Sequence, residues 1–277
     1  MKKLRSATRV ADAEGRQYHI DCKPGDLAPY ILFLGDPDRV DRVAERLDRV
    51  EVLRKNREFR TVTGTFRGLR VSALGTGIGS DNTEIAYVET CQVVEAPAVI
   101  RVGSCGALRP EIEVGDLVIT KAAVRLENTS TFFVPEGYPA FAHHEAVLAL
   151  IAGARKAGAT FHLGITATAP GFYGAQGRAI PGFPVRYPDL PEQLARMGVA
   201  NFEMEASALL TLAALRCFRA GAVCAVYANR PHDRFIDPKR KEKAEASAIE
   251  TGLSALEVLA RMDRERGKDG QWVPVGF

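Results

Sequence analysis

"YILFLGDPDRV" (Tyr30–Val40) decides the fold class. A short apolar run containing a β-branched residue stops at Gly35. The chain then offers Asp36 as a helix N-cap and Pro37 at the first helical position. Beyond that start Val40, Val43, Ala44 and Leu47 recur at spacings of three and four, which is the apolar stripe of a helix. A buried strand running straight into a helix is the repeating unit of an α/β sheet.

The alternation continues along the chain. "FRTVTGTFRGLRVSALGTG" (59–77) reads as two or three strands with Gly turns, because Thr, Val and Phe alternate with polar residues. The pattern predicts a helix over Thr83–Val94 and another over Glu145–Ala157, ended by Gly158. A third is expected from about Glu203 to Ala220, closed by Gly221, and a charged amphipathic helix from about Lys239 to Arg264. "PAVIRVG", "DLVITKAAVRL", "HLGITATAP" and "AVCAVYANR" supply further buried strands. "GAQGRAIPGFPVRYPDLPEQ" (174–193) is rich in Pro and Gly and too long for a plain connection, so a substrate loop is expected there. No linker or repeat divides the chain. The expectation is a flexible arm over residues 1–17 and a single α/β domain over 18–277, with a central mixed twisted sheet flanked by helices.

Composition narrows the function classes. With 46% hydrophobic and 26% charged residues in 277, global disorder is excluded. A formal charge of +3 gives no reason to expect nucleic acid or a membrane surface. The five cysteines form no CxxC pair and no metal spacing, and most sit in apolar strings, as reduced core thiols do. The basic start lacks an apolar segment of the secretory kind, so the expected location is the cytoplasm. His143-His144-Glu145 also lacks metal spacing and reads as an exposed helix start.

Three Gly-containing loops follow apolar strands: "LGDPDRV", "LGTGIGSDNT" and "RVGSCGAL". Such loops at strand ends can cradle an anion with backbone N–H groups. Gly75, Gly77 and Gly79 make a poor dinucleotide fingerprint, since Ser80 stands where the third Gly belongs. Arg39 and Arg101 fall beside these loops. A buried Arg needs an anion or a carboxylate; a structural pair with a residue such as Glu89 is one reading, a bound phosphate the other.

"LGDPDRV", "NREF", "TGIGSDNTEIAYVE", "RVGSCGAL", "VGDLVIT", "FYGAQGR" and "NFEMEASALL" resemble, in order, the nucleoside phosphorylase family on its uridine phosphorylase branch. The likeness runs from about Tyr18 to Arg230. It implies phosphorolysis of a pyrimidine nucleoside such as uridine, with inorganic phosphate as co-substrate and no other cofactor. By resemblance, Gly35, Arg39, Arg101 and Ser104 hold phosphate, and a neighbouring subunit adds Arg57. His19 also crosses from the neighbour, to the ribose 5′-hydroxyl, while Met204 packs on the sugar and Glu205 accepts from its hydroxyls. Phe172 stacks on the base, Gln176 and Arg178 read its carbonyls and N3, and Phe202 and Glu203 lie nearby. Catalysis is thus assigned to Arg101, Glu205 and Arg178. A monovalent cation is conceivable at Glu58, Ile78 and Asn82, although Asn replaces the usual hydroxyl.

The resemblance also implies a hexamer built from dimers. Purine-specific relatives carry an acid after the strand where this chain has Asn229, and an amide cannot replace it. Tyr227 and Ala228 replace the usual aliphatic pair of the base pocket, which leaves the preferred base open. The rivals are a purine phosphorylase or nucleosidase of the same fold and a non-catalytic nucleoside-binding protein.

Overall fold

The computed structural model describes residues 6–274. In chain order the elements are β1 (Tyr30–Leu34), α1 (Arg39–Ala44), β2 (Arg49–Asn56), β3 (Phe59–Phe66), β4 (Leu69–Gly75), α2 (Ser80–Val93) and β5 (Ala98–Ala107). There follow β6 (Leu117–Arg125), β7 (Ala140–Phe141), α3 (His144–Lys156), β8 (Phe161–Thr168), α4 (Leu190–Arg196) and β9 (Val199–Glu203). The chain ends with α5 (Ala206–Leu215), β10 (Ala220–Asn229), β11 (Arg234–Phe235) and α6 (Pro238–Glu265). The expected mixed sheet flanked by helices is present. Of the expected arm, residues 1–5 lie outside the described ones; Ala11 and Gln17 form an antiparallel bridge.

β5 is the spine of the sheet. Along one edge it pairs in parallel with β10, from Val99 opposite Ala220 to Ala107 opposite Asn229. Along the other edge β1 accompanies it from Ala98 only to Val102. The antiparallel β9 then takes over at Gly106 and Ala107. Between the two, Gly103, Ser104 and Cys105 have no strand on that side. β10 pairs with β6, β6 with β8 and β8 with β9, so these strands and β5 close into a ring. β4, β3 and β2 extend the sheet beyond β1.

Two apolar layers cover the sheet. On one face Val40 and Val43 of α1, Ala146 and Leu150 of α3, and Ile249, Leu253 and Leu256 of α6 share a core with Leu32, Ile100 and Val102. On the other, Tyr87 of α2 and Leu209 and Leu210 of α5 pack on Ile31, Phe33 and Val99. Burying a Leu or Ile side chain in such layers is worth about 1.5–3 kcal/mol. These two layers place the open end of β5 between them.

Several boundaries differ from expectation for local reasons. α1 begins at Arg39 behind Asp38, because Asp36 closes a turn first: its carboxylate accepts from Asp38 N at 3.0 Å and its carbonyl from Arg39 N at 3.1 Å. "RVGSCGAL" is no loop; β5 continues through it to Ala107, held by the β10 ladder. Glu203 ends a strand and does not start a helix, since "VANFE" pairs with β8 and β5. The proline-rich stretch contains a 3₁₀ turn over Gly174–Gln176 and the start of α4. Glu145 is buried, contrary to an exposed helix start: Arg219 and Arg266 bind its carboxylate while His143 caps α3 by accepting from Glu145 N. The two rings of His143 and His144 stack at 4.5 Å.

Candidate active site

A cavity of about 570 Å³ opens where β5 lacks its strand partner. Gly35 just after β1, Gly77 after β4, Gly103 to Cys105 on β5, and Phe202 to Glu205 at the end of β9 converge on it. Ligands gather at such places because strand ends there leave backbone polar groups free.

Arg101 lies on the floor with its side chain 4% exposed. Its Nε donates to Glu203 Oε2 at 3.0 Å, and its Nη2 binds Glu205 Oε2. The expected structural partner, Glu89, is elsewhere and is occupied by His19. A side chain at position 103 would place its Cβ 2.6 Å from Arg101 Nη2, so only glycine lets the guanidinium lie against the strand. Arg101 Nη1 comes 3.6 Å from where a Gly35 Cβ would sit, which aims it into the gap beside β1.

The two carboxylates differ. Glu203 is filled from within the protein: Oε2 accepts from Arg101, Glu205 N at 2.9 Å and Ala206 N at 2.8 Å, and Oε1 from Thr168 Oγ1 at 2.5 Å. The carboxylate expected near a base therefore caps α5 and fixes Arg101. Glu205 Oε1 accepts from Gly79 N at 2.7 Å, an amide turned inward by a φ of +100° that favours glycine. One guanidinium serves two buried carboxylates. Burial and the like charge of Glu203 hold the Glu205 carboxyl above its ordinary range, against the opposing pull of Arg101. The pair of carboxylates in turn holds Arg101 firmly protonated, despite its burial.

Arg39, 6% exposed, lines the same cavity and is gripped by Glu245 of α6. Ser104 and Met204 line it too. So does Arg178, whose guanidinium lies 3.9 Å over the Phe172 ring. Its Nη1 donates to Gln176 Oε1 at 2.6 Å and to the Phe172 carbonyl at 2.5 Å. Gln176 is only 3% exposed. Burial and the nearby Arg230 pull Arg178 down to about 10, which leaves it charged at neutral pH. Arg230 Nη1 donates to the Gln176 carbonyl at 3.0 Å. Sequence reasoning missed Arg230, although it directly follows Asn229. It missed Glu245 as well, because a Glu in a charged amphipathic helix carries no special pattern.

Asn229 is turned away from the cavity. It is fully buried, and Nδ2 donates to Ile112 O at 2.8 Å while Oδ1 accepts from His232 N at 2.9 Å. Arg57 and His19 do not join the cavity within one chain. Arg57 takes a φ of +54° in the β2–β3 turn and lies 6.0 Å over the Tyr18 ring, which meets His19 edge-on at 4.8 Å. Glu89 fixes His19 through Nδ1 at 2.6 Å and through two backbone N–H groups. Glu58 and Ile78 border the cavity mouth, and Asn82 Nδ2 lies 2.5 Å from the place of a Gly77 Cβ.

Residues 29–261 match the model of the phosphorylase superfamily. The chain is 45% identical to a uridine phosphorylase of Thermococcus kodakarensis, over 99% of this chain and 98% of that one. It is 36% identical to the Escherichia coli uridine phosphorylase, over 87% and 97% of the two chains. A crystal structure of a Trypanosoma brucei nucleoside phosphorylase, described as showing uridine phosphorylase activity, is similar with a TM-score of 0.81 and 26% identity. That likeness covers 89% of this chain and 98% of the other.

Proposed function

The chain belongs to the phosphorylase superfamily, and we infer from its likeness to uridine phosphorylases that it is one of them, a pentosyltransferase. The observation that supports this most directly is one cavity lined by Arg39 and Arg101 together with Arg178 and Gln176. Phosphate binds at Arg39 and Arg101 and the pyrimidine at Arg178 and Gln176. Gly35 and Ser104 offer backbone and hydroxyl donors beside the arginines.

A phosphate oxygen forms a bond to C1′ as the C1′–N1 bond breaks, and the electron pair departs with the base. Arg178 and Gln176 stabilise the negative charge that spreads to the base carbonyls. Glu205 stabilises the positive charge that grows on the sugar and orients its hydroxyls. Glu203 serves indirectly, by holding Arg101. The products are ribose 1-phosphate and uracil, and the base takes its proton from solvent.

Arg57 and His19 enter this reading from a neighbouring copy. They form one cluster with Tyr18, outside their own chain's cavity, so they are free to face another's. This supports a dimer as the working unit, and the resemblance adds a hexamer of three such dimers. A monovalent cation at Glu58, Ile78 and Asn82 belongs to the same proposed interface. Among the described residues no helix is long and apolar enough to cross a membrane. The thiols are all free, which suits work in the cytoplasm on nucleoside salvage.

The test is uridine cleavage with and without inorganic phosphate. Phosphate-dependent release of uracil with ribose 1-phosphate is expected. Cleavage at the same rate without phosphate would make the protein a nucleosidase.

A further inference from the structure

Arg39 is positioned by groups that have no place in the reaction as described. Its Nε donates to Glu245 Oε1 and its Nη2 to the Tyr227 hydroxyl at 3.2 Å. Glu245 is itself 5% exposed and is steadied by a second guanidinium, Arg42 Nη1 to Oε2 at 2.9 Å. Three remote segments therefore meet here: the start of α1, the end of β10 and the first turns of α6. A guanidinium has five N–H donors in a rigid planar fork. With Nε and one Nη2 proton engaged, the plane of the fork is fixed. Among the described residues Nη1 has no hydrogen-bond partner, and Arg39 borders the cavity.

We propose that Glu245, together with the Tyr227 hydroxyl, is a positioning residue for Arg39, orienting the guanidinium so that Nη1 meets the phosphate; this rests on the phosphorolysis reading above. The carboxylate does two things a neutral group cannot do together. It compensates a cation that burial would otherwise penalise, and it leaves the Arg39–Arg42–Glu245 cluster with one net positive charge for an incoming anion. Tyr227 adds a stop against rotation. Its hydroxyl stays protonated at neutral pH, since burial raises it to about 12. An aliphatic side chain at 227 would lack this contact, so the tyrosine acts on phosphate as well as on the shape of the base pocket.

A purely structural ion pair would change stability and leave substrate dependence alone, and kinetics separate the two. Glu245→Gln keeps the shape and an acceptor but loses the charge; Tyr227→Phe keeps the ring and loses the hydroxyl. Initial rates of the full-length enzyme are measured against phosphate at saturating uridine, and against uridine at saturating phosphate. Glu245→Gln should raise the KM for phosphate by about tenfold, and Tyr227→Phe by about threefold, with the KM for uridine within about twofold of the parent in both. Adding Glu245→Gln to Arg39→Ala should produce no further rise. Unchanged phosphate KM in both single variants overturns the inference, as does a Glu245→Gln effect of full size in the Arg39→Ala background. If Glu245→Gln fails to fold, an unchanged phosphate KM in Tyr227→Phe overturns it alone. A parent enzyme that turns over without consuming phosphate sinks the phosphorolysis reading instead, and is told apart because it appears before any variant is made.

Discussion

Asn229→Asp tests whether the missing acid alone separates this chain from a purine-cleaving one. In the structure the side chain at 229 is not poised over the cavity. Its amide N–H groups face the carbonyls of Ile112 at 2.8 Å, Pro110 at 3.3 Å and Arg109 at 3.4 Å. An ionised aspartate would keep one acceptor for His232 N but set its other oxygen against three carbonyls in a fully buried place. Losing these bonds and leaving the carbonyls unmet costs about 3 kcal/mol. With an unfolding entropy of roughly 2.1 cal/mol/K per residue, a chain this long should lose about 5 °C in Tm. A protonated carboxyl keeps one donor, so the folded state binds the proton more tightly than the unfolded one. The loss should therefore be smaller at pH 5 than at pH 8. Thermal unfolding at the two pH values, with uridine and inosine assayed beside it, checks the whole chain of reasoning. Gain of inosine cleavage, or a Tm unchanged at pH 8, would refute it.

Other expectations follow from the same geometry. Arg101→Ala leaves two buried carboxylates without their cation, so it should lower kcat/KM for phosphorolysis by about 10²–10³ and stability by about 3–5 kcal/mol; near-normal turnover would overturn Arg101's role. Gln176→Ala should raise the KM for uridine by about tenfold while the KM for phosphate holds, and an unchanged preference for uridine over inosine would contradict the base-site assignment. Glu205 titrates above the unfolded value of 4.5, so the native state binds more protons between that value and its own pKa. Its contribution to stability should thus fall as pH rises through that window, and denaturant midpoints of Glu205→Gln should lack this part of the slope.

The parts of this fold that were readable in the chain are those with strong periodicity. α3 and α6 came out within a residue or two, since their apolar stripes are long and their ends are punctuated. β2 gave no signal, because it is an edge strand, half of it charged and most of it exposed. β9 was not anticipated and its last residue, Glu203, was read as the helix start, since nothing local in "VANFEMEASALL" marks the turn. In the site, Arg39 and Arg101 were legible beside Gly-containing stretches and Ser104 through the resemblance, and all three line one cavity. What those arginines hold on to was not legible. Glu203, Glu205 and Glu245 are between 102 and 206 residues away in sequence, and only the packing of α6 and β9 against β5 brings them close. The filled acceptors of Glu203 were invisible for the same reason.

The interruption along β5 has a consequence for how ligand and scaffold depend on each other. Where β1 leaves at Val102 and β9 joins at Gly106, the spine keeps its β10 ladder, which takes up one register shift between Val226 and Ala228. Whatever occupies the cavity meets that bare rail directly, in the berth a further strand would have filled. A guest seated there takes the place of a rung, set against a strand whose other edge is already paired with β10. Changes of diet are then cheapest at the Gln176–Arg178 turn, while the anion berth can drift only if the sheet itself is rebuilt.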